Sequence, residues 1–324
     1  MTASRRLAVA LLPLLAFPSA ALAQAPYPSR PITLVVPYPP GGLNDVVARG
    51  FADKMTQDLG VTVIVDNKAG AATTVASNAV AKAPPDGYTI YGAGTSLVIN
   101  PTLQGNVQYD PKKSFEPISL MSVTPFIFHV NAAFPAKDMK EAVAHIKANP
   151  GKFNIATSGI GAVNHMSAEL FKAMLELNVA IVPYRGGAQA GQDLAAGQAQ
   201  MMFSAALEAV PLLQRGATRA LAISSATRSP AFPALPTVEE ALGITGFATV
   251  FWQALVVPAG TPKPVIERLR ASIVKVTADP EMIERFAKQG VDLKSSTPQE
   301  LIALIDREDQ RWSKLIKEKG IKGE

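Results

Sequence analysis

The chain of 324 residues contains no cysteine. This absence excludes disulfide bonds, thiol nucleophiles and thiolate metal sites. Charged residues make up only 18% of the sequence, and the net charge is +5. That charge is too small and too dispersed to indicate a nucleic-acid partner, and no run of Lys and Arg is interleaved with aromatic residues.

Groups that carry out catalysis are also scarce. The only histidines are His129, His145 and His165, and their spacing fits no zinc site. The chain has no Gly-x-Ser-x-Gly nucleophile elbow, and its carboxylates are placed mainly on solvated helix faces. We therefore expect no metal, no cofactor and no enzymatic activity.

The first 23 residues have the three parts of an export signal: a basic head ending in Arg5 and Arg6, an apolar stretch, and Ala21-Leu22-Ala23 as a small-x-small cleavage site. The apolar stretch is shorter than the roughly 20 residues of a membrane span. We predict a periplasmic protein cleaved near Ala23. The two arginines leave both the Sec and the Tat export routes open.

Apolar β-branched runs then alternate with helical patterns, which predicts α/β architecture. Strands are predicted over 32–38, 61–67 and 88–94, with helices between them and a parallel sheet. The pattern restarts at 125–131, and the last 60 residues are almost purely helical. We predict two lobes, each a sheet flanked by helices, joined by crossover strands near 125–131 and 247–256. The first lobe comprises 24–126 and 252–324, and the second comprises 127–251.

Two glycine turns stand between a predicted strand and a helix. They are PYPPGGLND (37–45) and SGIGAVNH (158–165), and helix starts of this kind hold anions on free backbone N–H groups. A dinucleotide is disfavoured, because Asn164 stands where the third glycine of its fingerprint belongs. A small anion fits better. Asp45 or Asn44 capping its own helix, with the turns purely structural, is the alternative.

Three further features bear on the ligand. The turn PYRGG (183–187) offers Arg185 as a carboxylate clamp, although such an arginine is more often solvated. His165 lies at a helix start beside the second turn, where core packing or capping competes with ligand contact. Trp252 lies in the second crossover and either walls the cleft or packs in the core.

Several motifs in order along the mature chain resemble those of the Bug-type receptors, the extracytoplasmic solute-binding proteins of tripartite tricarboxylate transporters. They include PYPPGGLND, AKAPPDGYTI (81–90), YDPKKSFEPISL (109–120), VPYRGG and VVPAGTPKPV. The resemblance implies a periplasmic-binding-protein (Venus-flytrap) fold, a small carboxylate held in the interlobe cleft by the two glycine turns, and a membrane permease as partner. The predicted ligand-contacting residues are Tyr38, Gly41, Gly42, Leu43, Asn44, Asp45, Ser96, Ser158, Gly159, Ile160, Gly161, His165, Arg185, Gly186, Gly187, Ser204 and Trp252.

The chain departs from the family pattern at Ser204, where many members carry Asp. This difference favours a ligand without an ammonium group, such as an aliphatic or aromatic mono- or dicarboxylate. We expect a monomer. Two rivals remain open at this point: an exported sensor that docks on a signalling protein, and an exported hydrolase.

Overall fold

The computed structural model describes residues 26–323, so the predicted export signal lies outside the described residues. The strands in chain order are β1 (Ile32–Val36), β2 (Val63–Asn67), β3 (Thr89–Gly94), β4 (Phe115–Pro125), β5 (Ile127–Asn131), β6 (Asn154–Thr157), β7 (Ala180–Pro183), β8 (Met201–Ser204), β9 (Thr218–Ile223), β10 (Val250–Pro258) and β11 (Asp292–Leu293). The helices are α1 (Leu43–Leu59), α2 (Thr74–Ala81), α3 (Ser96–Gln104), α4 (Met139–Ala148), α5 (Val163–Leu175), α6 (Gly187–Ala195), α7 (Ala206–Gln214), α8 (Val238–Leu242), α9 (Lys263–Thr277), α10 (Pro280–Ala287) and α11 (Pro298–Lys319).

The strands form two sheets, each flanked by helices. The six-stranded sheet has the order β11-β4-β10-β3-β1-β2, and the five-stranded sheet has the order β7-β6-β8-β5-β9. We call the unit around the six-stranded sheet the first lobe and the unit around the five-stranded sheet the second lobe. The predicted two-lobed α/β fold is confirmed.

The parallel pairing predicted for the first three strands is confirmed, since β1 pairs in parallel with β2 and β3. The sheet as a whole is mixed, because β10 is antiparallel to both β3 and β4. In the second lobe, β5 is antiparallel to β8 and β9. Antiparallel strands arise because the chain returns directly between the lobes here, without the crossover helix that a parallel connection needs.

The strand β4 was not predicted from the sequence, because polar residues interrupt its apolar pattern. Ser119, Ser122 and Thr124 are all buried in it. Their burial is tolerable where neighbouring elements supply partners: Ser122 Oγ donates to Gln253 Oε1 of β10 at 2.9 Å, and Ser296 N donates to Ser119 Oγ at 2.8 Å. Partners more than a hundred residues away cannot be read from a local window.

The chain passes from the first sheet to the second between Pro125 and Ile127, and it re-enters the first sheet at Val250. The closing helices pack on the first lobe, since α9 contacts α1 and β4, and α11 contacts α3 and β4. The residue limits given above for the two lobes stay a prediction.

The last helix illustrates why these segments are helical. At the start of α11, Thr297 and Glu300 form a reciprocal capping box and Pro298 occupies the first helical position. Gly320, at φ 60°, ends the helix, and the buried face carries Trp312 and Ile316. Within residues 26–323, no helix combines the length and apolar character needed to cross a membrane.

Candidate functional site

A cleft of about 730 Å³ lies between the lobes. It is lined by the first residues of four helices, α1 from the first lobe and α5, α6 and α7 from the second. The first N–H groups of a helix have no intrahelical acceptor, and the helix dipole makes this end positive. Four such ends around one cavity favour a bound anion.

The start of α1 is built by the first glycine turn. Gly41 has φ 85°, a left-handed conformation that glycine adopts without steric cost. Gly42 is the N-cap residue, and the first helical hydrogen bond runs from Val46 N to Gly42 O at 3.0 Å. The N–H groups of Leu43 and Asn44 therefore precede the helical ladder at the wall of the cleft.

The Asp45 side chain stabilises this turn through hydrogen bonds. Its carboxylate accepts from Gly41 N, from Arg49 Nε and from Asn67 Nδ2, each at 2.9 Å. Burial raises the pKa of Asp45, but these hydrogen bonds outweigh burial and leave the pKa below its usual value. The carboxylate is thus fixed and neutralised behind the turn, and it is not among the lining residues of the cleft.

Asn44 has the opposite environment. The residue is only 4% exposed and is among the residues that line the cleft. Neither its Oδ1 nor its Nδ2 has a hydrogen-bond partner within residues 26–323. A buried amide without partners costs about 1–3 kcal/mol, so the position favours an occupant of the cleft that supplies those hydrogen bonds.

The start of α5 has the same layout, with Gly161 at φ 76° and Ala162 as N-cap. Here the asparagine is fully engaged. Asn164 Oδ1 accepts from Ser158 N at 3.3 Å, and Nδ2 donates to Ser158 Oγ at 2.8 Å and to Phe203 O at 3.1 Å. Asn164 therefore holds the second glycine turn against β8.

Gly161 itself lies against the first lobe. Ser96 Oγ donates to Gly161 O at 3.2 Å and is 3.1 Å from Tyr38 OH. A methyl group built on Gly161 would lie 2.7 Å from Asn100 Oδ1. The second turn is therefore a contact point between the lobes.

The charged part of the cleft comes from residues near α6 and α7: Arg185 precedes α6, Glu208 is in the first turn of α7, and Arg215 follows the end of α7. Arg185 and Arg215 line the cleft with exposed side chains, and the half-buried Glu208 lies between them in the sequence. A methyl group on Gly187 would overlap Glu208 Oε1, so α6 begins directly against this carboxyl. Burial raises the pKa of Glu208 to about 7, although the backbone of Ala205 lowers it in part.

Aromatic side chains form the apolar walls. Phe126 and Phe251 line the cleft at the two crossings between lobes. Tyr38 packs edge-on against Phe251 at a centroid distance of 6.2 Å, and burial raises the pKa of the Tyr38 phenol above its usual value despite the Ser96 hydrogen bond. A cavity with apolar walls and a few polar groups is typical of small-molecule sites.

The structure brings part of the predicted set together. The predicted residues that line the cleft are Tyr38, Gly41, Gly42, Leu43, Asn44, Ser158, Arg185, Gly186 and Gly187. The predicted residues that are not among its lining are Asp45, Ser96, Gly159, Ile160, Gly161, His165, Ser204 and Trp252. Sequence reasoning missed Phe126, Gln192, Glu208, Arg215 and Phe251, although the strand-to-helix step at β8–α7 repeats the pattern used for the other turns.

Ser204 has a different setting from the one assumed above. Its side chain is 1% exposed, and His129 Nε2 lies 2.8 Å from its Oγ. The hydroxyl therefore satisfies a buried histidine inside the second lobe. The expectation of a ligand without an ammonium group depended on Ser204 facing the cleft, and this geometry gives it no support.

His165 and Trp252 are also core residues. Trp252 is 1% exposed, in β10. His165 is 6% exposed, and burial lowers its pKa to about 4. Within residues 26–323, no group of three or more His, Cys, Asp or Glu side chains could hold a metal ion.

With two sheets facing a cleft and helix starts gathered around it, the comparison with known proteins is direct. The model of the tripartite tricarboxylate transporter family receptor matches residues 47–321. The chain belongs to this receptor family. A relative encoded in the tcbD–tcbE intergenic region of Pseudomonas sp. strain P51 is 37% identical over 292 residues, covering 90% of this chain and 87% of the relative.

Solved structures similar to this chain have the same architecture. The periplasmic binding protein BugD superposes with a TM-score of 0.83 at 35% identity, covering 92% of this chain and all of BugD. The R. palustris protein Rpa4515, solved with adipate, has a TM-score of 0.84 at 29% identity and covers 90% and 97% of the two chains. MatC from Rhodopseudomonas palustris, with bound malate, has a TM-score of 0.81 at 31% identity and covers 90% and 100%.

Proposed function

We propose that this protein is a periplasmic receptor that captures a small carboxylate between its lobes and delivers it to a tripartite tricarboxylate transporter permease. It acts as a monomer and leaves the ligand chemically unchanged. The carboxylate binds on the N–H groups that open α1, with the Asn44 amide beside them and the start of α5 opposite. Membership of the receptor family, and adipate and malate in two of its members, support this class of ligand.

The observation that carries the proposal is Asn44. It is a buried amide on the wall of an anion-favouring cleft, and both its polar atoms lack partners among residues 26–323. A carboxylate oxygen accepts from Nδ2, and a ligand hydroxyl or a water donates to Oδ1. Asn164, the matching residue of α5, cannot bind the ligand in this way, because its side-chain amide is already hydrogen-bonded to Ser158 and Phe203.

The energies are adequate for a transport receptor. One helix start contributes about 0.3–1 kcal/mol to an anion, and up to about 2 kcal/mol when partly buried. Micromolar affinity requires about 8 kcal/mol. Several converging helix starts, the Asn44 hydrogen bonds and burial of the ligand against Tyr38, Phe126 and Phe251 together reach this range, whereas one turn alone does not.

Thermal unfolding tests the proposal. The exported protein is heated with aliphatic and aromatic mono- and dicarboxylates, and with the corresponding primary amides and alcohols as matched controls. A carboxylate present at 100 times its Kd adds about 2.7 kcal/mol of stability, while its amide adds none. The proposal fails if no carboxylate raises the melting temperature, or if amides stabilise as well as the acids do.

A further inference from the structure

We propose that Glu208 is the specificity-determining residue at the far end of the cleft, and that it selects carboxylates carrying a hydrogen-bond donor, an ammonium or a hydroxyl, at the end remote from α1. This inference rests on the proposed function and names the class of ligand within it. It replaces the expectation, drawn from Ser204, of a ligand without an ammonium group.

Asp45 in the first lobe and Glu208 in the second lobe differ in their partners. Asp45 at the start of α1 is bonded to Arg49, Asn67 and Gly41, so it is neutralised before a ligand arrives. Within residues 26–323, Glu208 makes no ion pair, and its carboxyl has the backbone of Ala205, the N-cap residue of α7, as its one hydrogen-bond partner. The first-lobe end of the cleft is therefore ready for an anion, while the α6–α7 end already contains one acid without a cation.

Geometry fixes the place of the Glu208 carboxyl. It is the third residue of α7, and its Oε1 lies over the Cα of Gly187 at the start of α6. Any side chain on residue 187 would occupy the position of the carboxyl, so the glycine leaves room for it. Glu208 thus stands between two helix starts, where a second anion from the ligand would otherwise bind.

None of the neighbouring charged groups forms an ion pair with Glu208 within residues 26–323. Arg185 and Arg215 line the same cleft and are exposed to solvent. On the elements packed against α7, His129 of β5 is turned to Thr218 and Ser204. Arg219 of β9 donates to backbone carbonyls of 132–136.

Asp193 of α6 interacts with Tyr184. Burial alone accounts for the raised pKa of Glu208, to about 7. An ammonium group placed beside Glu208 stabilises the ionised carboxylate. A hydroxyl donates to either protonation state.

A ligand therefore binds in one orientation. The ligand carboxylate accepts hydrogen bonds from the N–H groups at the start of α1 and from the Asn44 amide, all in the first lobe. The donor group at the other end of the ligand bonds to Glu208 in the second lobe. Because the two ends contact different lobes, a ligand with both groups ties the lobes together. The length of the ligand decides whether both contacts form at once.

The test is a matched series measured by isothermal titration calorimetry at pH 7.5. For each chain length from three to six carbons, the unsubstituted acid, the ω-hydroxy acid, the ω-amino acid and the dicarboxylic acid are titrated into the exported protein. We expect at least a tenfold preference for the hydroxy or amino acid over the unsubstituted acid at one chain length. Equal affinities at every length overturn the assignment of Glu208.

Two variants separate the charge from the hydrogen bond. Glu208→Gln keeps the size and an acceptor oxygen, so it is expected to lose the preference for the amino acid and keep that for the hydroxy acid. Glu208→Met keeps the approximate length without an acceptor and loses both. If both variants keep the wild-type preferences, Glu208 only caps α7, and the inference is wrong.

Failure of the inference and failure of the receptor function give different results. If wild-type protein and both variants bind unsubstituted acids or dicarboxylates with equal affinity, the receptor function stands and Glu208 has no selective role. If none of the acids binds to any of the three proteins while another carboxylate of the thermal screen stabilises the wild type, the receptor function stands and the assignment of Glu208 is wrong. If no carboxylate of either series binds, the receptor function itself fails. The melting temperature of each ligand-free variant shows whether it is folded.

Discussion

The starts of α1 and α5 have the same design and different uses. Each has a glycine with positive φ, an extended N-cap residue, an apolar first residue and asparagine second. Yet Asn44 lacks hydrogen-bond partners within residues 26–323, while Asn164 makes three bonds. Gly41 faces open space and Gly161 abuts Asn100. The first start keeps its asparagine amide unpaired among these residues and lines the cleft, and the second holds its own turn and meets the other lobe.

The third helical position gives the largest expected difference between the two starts. It is Asp45 in α1 and His165 in α5. Burial lowers the His165 pKa to about 4, against 6.5 for the free side chain. Between these two pH values, the imidazole is therefore protonated in the unfolded chain and neutral in the folded chain. Stability is then fully present above pH 6.5 and falls as the pH drops toward 4, by up to about 3 kcal/mol in total.

Urea unfolding of the ligand-free protein at pH values from 4.5 to 7.5 measures this loss. His165→Gln is expected to show a shallower decline, by up to about 1.4 kcal/mol per pH unit. His129, whose pKa burial lowers to about 3, titrates in the same direction in both proteins and cancels in the comparison. Asp45 has a lowered pKa and contributes only in more acidic solution. Parallel profiles for wild type and variant would contradict the prediction.

The second difference is between the glycines. Gly161→Ala places a methyl group 2.7 Å from Asn100 Oδ1, and Asn100 is anchored to Ala72 O and Thr73 Oγ1. Overpacking of this kind costs about 1–3 kcal/mol. Because the clash lies between the lobes, we expect roughly a hundredfold weaker carboxylate binding, which corresponds to about 2.7 kcal/mol.

Gly60→Ala, at the end of α1 and outside the lining of the cleft, is the matched control for this variant. Its φ of 72° carries a similar backbone penalty, but no atom lies within 4 Å of the added methyl group. Calorimetry with one carboxylate should therefore show a much smaller loss. Equal losses for the two variants would mean that backbone strain, and not contact between lobes, sets the affinity.

The third prediction is that substitutions of the two asparagines have opposite effects, one on stability and the other on ligand binding. Asn164→Ala leaves Ser158 N and Phe203 O without their partner, so the free energy of unfolding should fall by about 2 kcal/mol. Asn44→Ala removes a buried amide with no partner, so stability should change little while carboxylate affinity drops roughly tenfold. Chemical denaturation and calorimetry on both variants check this, and the reverse pattern would refute it.

The smallest effect concerns the bond between lobes. Ser96→Ala removes the donor to Gly161 O, and a hydrogen bond of this kind contributes about 1 kcal/mol. We expect about fivefold weaker binding, measured by calorimetry. Tyr38→Phe keeps the ring against Phe251 and leaves Ser96 free to bond Gly161, so its loss should be smaller. A larger loss for Tyr38→Phe would assign the hydroxyl to the ligand.

Sequence reasoning was strongest where the signal was local. Strand-to-helix steps at Gly41 and at Ser158–Gly161 were visible because glycines and apolar runs stand together in a short window. It was weaker where burial depends on distant partners, as in β4. It failed at Ser204, because only the fold shows that the hydroxyl faces His129 and not the cleft.

The sequence by itself determined the α/β class, the two-lobed plan and the glycine turns that open α1 and α5. Periodicity and backbone preference act over a few residues, so they survive without tertiary context. Only the tertiary structure decided which polar groups remain unpaired, since pairing depends on groups far away in the chain. In that structure, the Asn44 amide has no partner within residues 26–323, whereas Asn164 and Asp45 are hydrogen-bonded within the protein. The Glu208 carboxyl lies against Gly187.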